Sequence, residues 1–181
     1  MTRVALLWHM HQPFYQDLAT GEHILPWVRL HALKDYWGMA ALTREFPSLK
    51  LTFNLVPSLL VQLEAFASGR ARDRHLDIGL APADQLSESD RQFCAEHFFH
   101  AHRARMIDPF PRYAELFATR EAGRRRGNAA AGFTTDDLRD LQVWHKLVWG
   151  DPIYLDRDPR VRGLLAKARD FSEQDKQTLR A

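Results

Sequence analysis

The chain has 181 residues, 45% of them hydrophobic and 27% charged, with a formal net charge of +2. That is enough for one domain with a sizeable core, and so small a net charge exerts no general pull toward nucleic acid or a membrane surface. One cysteine, Cys94, excludes an internal disulfide framework, and no apolar stretch reaches the roughly 18 residues of a membrane span. The opening apolar run leads into His-Met-His-Gln-Pro rather than a small-residue cleavage site, so no signal peptide and a cytoplasmic location are expected.

Val4 to Trp8 is a continuous apolar run, the pattern of a strand buried on both faces. It ends in His9-Met10-His11-Gln12-Pro13. Alternate strand residues point the same way, so His9 and His11 share a face at the strand's C-terminal end. In parallel α/β sheets and barrels that edge is where ligands sit. Residues 12–25 read as a loop. Pro26 fits the first helical position, and Leu30, Leu33, Trp37, Ala40 and Ala41 recur at helical spacing toward a stop near Phe46-Pro47. Trp27, His31 and Asp35 fall at i, i+4 and i+8 on this helix and form one stripe. Leu49 to Leu55 reads as a second strand with Asn54 near its end. Pro57 opens a helix through Ala67, stopped by Ser68-Gly69. Residues 1–69 therefore form an expected strand–helix–strand–helix core with a parallel crossover.

Residues 70–181 read as a helical extension. Arg70 to Pro82 is a mixed loop, and Ser87 caps a helix expected from about Glu88 to Met106. Pro109 and Pro111 break it, and a short helix follows over Arg112 to Glu121. Gly123 to Gly132, with three glycines and three alanines, reads as a mobile loop. Thr134-x-x-Asp137 starts a helix toward Trp149, Asp158-Pro159 another toward Asp170, and Ser172 a last one running to Ala181. Only two strands emerge. A two-stranded parallel sheet has two bare edges and little area, so either partner strands come from elsewhere or the chain is the front of a longer domain.

Several chemistries are open to these residues. A His-x-His pair at a strand end can supply two metal ligands. Further ligands would come from His31, His75, His97, His100, His102 or His145, which repeat no recognised spacing, although 97 and 100 can share a helix face. Paired carboxylates would mark glycoside hydrolysis. Asp17 and Glu22 lie in the loop above strand one, Glu64, Asp151 and Asp156 elsewhere, and no pair stands out. Trp27 either packs the loop or approaches the two histidines; Asn54 either bonds its own backbone or lines the same edge. Arg124 to Arg126 lacks an aromatic platform and reads as solvated loop, and Cys94 as buried filler beside Phe98. No Gly-rich phosphate loop or Ser nucleophile elbow is present.

The segment Leu7-Trp8-His9-Met10-His11-Gln12-Pro13-Phe14-Tyr15 resembles the first motif of glycoside hydrolase family 57, the α-amylase, amylopullulanase and 4-α-glucanotransferase group. The resemblance continues through residues 25–36 (Leu25-Pro26-Trp27 to Tyr36), residues 53–60 (Phe53-Asn54-Leu55 to Leu60) and Asp140-Leu141-Gln142-Val143-Trp144. It implies an α/β chain that is the N-terminal portion of an incomplete (β/α)7 barrel, acting on an α-glucan or maltooligosaccharide by a retaining mechanism. It implies no metal or other cofactor. Of the substrate-binding candidates it implies, His11 is first, for the glucosyl site nearest cleavage, followed by His9, Gln12, Trp27, His31 and Asn54. The family's glutamate nucleophile and aspartate acid/base belong to later motifs, and no Trp-x-x-Glu segment follows here. The chain alone is therefore expected to be inactive. The alternatives are a glucan-binding or split-enzyme subunit completed by a second polypeptide, and a metal-dependent hydrolase built on His9 and His11.

Overall fold

One short parallel pair of strands and a succession of helices make up residues 4–179, the span described by the computed structural model. They divide into two units, one ending at Arg74 and one beginning at His75.

In the first unit, β1 (Leu7–Met10) pairs in parallel with β2 (Thr52–Leu55), in the register Leu7 to Thr52, Trp8 to Phe53, His9 to Asn54 and Met10 to Leu55. Both strands are shorter than the apolar runs that announce them. The ladder begins where Leu6 O accepts the Thr52 N–H, which moves β1 toward the histidines. The expected burial on both faces does not hold. Leu7 is 62% exposed, Phe53 36% and Leu55 44%, because no third strand flanks the pair among the described residues.

Between the strands, α1 (Trp27–His31) runs through a π-helical stretch (Ala32–Tyr36) into α2 (Trp37–Glu45), which stops before Pro47 as the sequence predicts. After β2 the chain enters α3 (Pro57–Ala67), with Pro57 in its first turn. Met10, Val28 and Leu59 form the buried centre, flanked by Tyr15, Tyr36, Met39, Leu63 and Phe66. His23 is buried too. Its backbone N–H donates to Arg72 O, and its ring lies 4.7 Å from that of Phe66.

The second unit departs more from expectation. The loop expected over 70–82 contains α4 (Arg74–Leu80), and α5 (Glu88–His97) ends well short of Met106. His102 and His100 are therefore beyond the helix, and a π-helical stretch (Arg103–Ile107) follows. Next come α6 (Pro111–Arg125), α7 (Thr135–Val148), α8 (Pro152–Arg157), α9 (Pro159–Lys167) and α10 (Glu173–Thr178). The sequence reading did not separate α8, which Asp151 caps by accepting the Ile153 N–H. Capping boxes start α7 at Thr134 and α10 at Ser172 as the pattern requires. α10 ends at Thr178; the expected last turn to Ala181 falls on residues outside those described.

At the centre of this unit is α7, buried from Leu141 to His145. Arg112 on α6 donates to Asp140 and Asp137 at 2.7 and 2.6 Å, and Asp140 also accepts the Phe171 N–H at 2.9 Å. Gln142 donates to Ile78 O and Ala81 O and accepts from the buried Lys176 Nζ, which also pairs with Glu173. These bonds satisfy polar groups that would otherwise be costly to bury. The Gly-Ala segment after α6 is not the loose loop expected. Ala129 and Ala130 are buried, and the Ala130 N–H donates to Gln92 and Asn128 side chains.

Gly123 permits that close fold-back, since a Cβ there would lie 2.5 Å from Asn128 O. Gly123→Ala should therefore destabilise the protein by about 1–3 kcal/mol, read by urea denaturation. A second expectation concerns pH. Burial holds the His23 pKa below its ordinary value, outweighing the opposite pull of Asp73. Below the ordinary histidine range the unfolded chain binds a proton that folded His23 does not, so stability falls as pH drops. The urea midpoint should decrease between about pH 7.5 and about pH 5, and His23→Gln should reduce that decrease.

Candidate functional site

Several polar side chains meet at the C-terminal end of β1 and along the loop beyond it. Because His9 lies opposite Asn54 in the ladder, their side chains meet, with His9 Nδ1 at 2.6 Å from Asn54 Oδ1. Asn54 Oδ1 is an acceptor, so His9 donates to it through Nδ1–H. His11, two residues on, places its ring 5.8 Å from that of His9, as strand alternation predicts.

Past His11 the chain leaves the ladder, and its backbone groups need other partners. They find them on α3 and on the π-helical stretch. Ser58 Oγ donates to Gln12 O at 3.0 Å. The buried Gln62 accepts the Tyr15 N–H at 2.8 Å and donates to Pro13 O at 2.9 Å and Ser58 O at 2.6 Å. From the other side, Tyr36 donates its hydroxyl to His11 O at 3.1 Å and accepts from Gln12 Nε2 at 3.1 Å. Tyr15 in turn donates to Gln12 Oε1 at 3.0 Å. Both ends of the Gln12 amide are thereby fixed.

The two phenols stay protonated at neutral pH. Burial raises the pKa of each, with the neighbouring Tyr36 adding to the effect on Tyr15. At Tyr36 the Gln12 hydrogen bond opposes it and Asp35 reinforces it. A protonated Tyr36 is what the bond to His11 O requires.

The stripe on the first helix also forms. Trp27 and His31 have ring centroids 6.2 Å apart, and His31 Nδ1 meets Asp35 Oδ2 at 2.5 Å. The His31 ring is 6.3 Å from that of Tyr36, which connects this stripe to the Gln12 group. The six residues singled out from sequence thus form two linked sets: His9 with Asn54 and His11, and Gln12 and His31 at Tyr36, with Trp27 beside His31. Sequence reasoning missed Tyr36, Tyr15, Ser58 and Gln62 as partners. Tyr36 directly follows Asp35, and Ser58 and Gln62 share a face of the Pro57 helix, but the contacts themselves depend on the loop's path.

Four carboxylates of the first unit bond to other groups. Asp17 shapes its own turn by accepting the Ala19 N–H, Glu64 meets Arg70 on the surface, and Asp35 faces His31. Asp73 is buried and takes two bonds from Arg29, at 2.8 and 3.0 Å. Among the described residues, the one trio of donors close enough to share an ion is His75, His97 and His100 in the second unit; neither His9 nor His11 belongs to it.

Searches among curated proteins and among solved structures return no match. The model of glycosyl hydrolase family 57 matches residues 5–176, the span that carries both the histidine-bearing strand end and the helices after it. A match over so much of its length settles the lineage: the chain belongs to glycosyl hydrolase family 57.

Proposed function

We propose that the chain supplies the substrate-binding side of an α-glucan-acting retaining glycoside hydrolase or transglycosylase, with its catalytic carboxylates provided by segments outside this chain. The carrying observation is the set of oriented polar groups at the C-terminal end of the parallel pair, in a chain of this family. His9, His11 and Asn54 are exposed and Trp27 is half-buried, which leaves imidazole and amide edges for sugar hydroxyls and an indole face for a pyranose ring. His9, with Nδ1–H committed to Asn54, leaves Nε2 for a sugar hydroxyl. His11 is the residue assigned to the glucosyl unit nearest cleavage.

A retaining mechanism needs one carboxylate as nucleophile and a second group as acid and base, about 5–5.5 Å apart. Asp17, Asp35, Glu64 and Asp73 are engaged in a turn, a helix stripe and ion pairs, which supports assigning the reacting pair elsewhere. The exposed apolar residues Leu7, Phe53 and Leu55 support a larger sheet in the active assembly, because parallel strands ordinarily lie in covered sheets. In this reading residues 1–69 are barrel core, 70–181 a helical extension, and the rest of the barrel comes from further polypeptide. The lone, buried Cys94 is in keeping with the cytoplasm.

The purified chain should bind maltoheptaose weakly and show no turnover of it. His11→Ala should reduce the calorimetric affinity by about tenfold, the scale of one lost polar contact in a sugar site. Tyr36→Phe should weaken binding less and lower stability by about 0.5–1.5 kcal/mol, through loss of the bonds to His11 O and Gln12. Turnover by the isolated chain that disappears in His11→Ala would overturn the assignment of the carboxylates; equal affinity in both proteins would overturn that of His11.

A further inference from the structure

The second unit holds a cluster that the sugar reading does not use. His97 is the last residue of α5, and His100 follows in the turn beyond it, where its N–H donates to His97 O at 3.2 Å. The intervening Phe98 and the following Phe99 are buried, and Trp149 Nε1–H donates to His100 O at 3.1 Å, so the turn is held from beneath. His75, on α4, is buried and brings a third imidazole to the same place. Ring centroids are 5.7 Å apart for His75 and His97 and 5.2 Å for His97 and His100, and one nitrogen from each of the three lies within 4.8 Å of the others.

We propose that His75, His97 and His100 form a binding site for a borderline divalent transition metal of the zinc class, with water or an outside ligand in the fourth position. Zinc bound to imidazoles at about 2.0–2.1 Å holds its ligand atoms roughly 3.4 Å apart. The three nitrogens lie within 4.8 Å of one another, so metal binding would draw them closer by side-chain rotation. Three nitrogen donors select zinc, cobalt, nickel or copper over magnesium or calcium, which prefer oxygen. The site has one buried wall, at His75, and one open side, at exposed His100, through which an ion can enter.

The electrostatics are compatible. A metal ligand must be neutral imidazole. Arg120 and Arg124 act electrostatically on His100. The two arginines are themselves paired, Arg124 with Glu96 and Arg120 with Glu121 at 2.9 Å, which reduces their repulsion of an incoming cation. Bound metal would tie α4 to the end of α5. This site is separate in sequence from the proposed glucan site and does not depend on that reading.

The test is titration of the metal-stripped full chain with cobalt and with zinc. One equivalent should bind, with the visible absorption bands of tetrahedral cobalt, and zinc should raise the thermal midpoint. His100→Ala, at an exposed position, should leave the metal-free midpoint unchanged, abolish the bands and weaken zinc binding by about tenfold or more. His97→Ala should do the same to binding, while the His9→Ala/His11→Ala double variant should bind as the parent does. Absence of stoichiometric binding, parental affinity in His100→Ala, or loss of binding in the double variant instead would each overturn the proposal.

Discussion

The amide of Gln62 is the interaction on which the first unit's site depends. A chain leaving a parallel strand abandons its ladder, and its freed N–H and C=O groups must be satisfied again. Gln62, buried on α3, does this for Tyr15 and Pro13 with one side chain, and Ser58 does it for Gln12. The loop is thereby held against a helix rather than left to solvent. His9 and His11 owe their position to the strand, but Gln12 and Tyr15 owe theirs to this clamp.

Tyr36 ties the arrangement together from the other side. It lies at the end of the π-helical stretch, where the wider turn changes the facing of successive side chains. From there it bonds both to the backbone at His11 and to the Gln12 side chain. Family membership gives this geometry a setting in glycoside chemistry. The polar edge is held by hydrogen bonds of Tyr36, Tyr15 and Gln12, with the His31–Asp35 pair beside Tyr36.

In the second unit polar residues serve the core. Asp140 and Gln142, within a segment that carries part of the family resemblance, point into the protein. One holds Arg112 and the backbone at Phe171; the other holds two carbonyls and Lys176. Each is strongly constrained, because removal of one member would leave a buried polar or charged partner unsatisfied.

Much of this was legible in the chain itself. Strand alternation put His9 and His11 on one side, helical spacing aligned Trp27, His31 and Asp35, and Thr134 and Ser172 marked their helices, because each rests on local geometry with a fixed period or offset. The end of α5 at His97, the ordered Gly-Ala turn and the open faces of the strands were not legible. These follow from what packs against each segment, and periodicity carries no information about that. Tertiary structure alone decided that Asn54 meets His9, that Tyr36 and Gln62 hold the loop, and that His75 joins His97 and His100. Each of these joins residues more than twenty positions apart, and only the path of the chain between them brings such groups together.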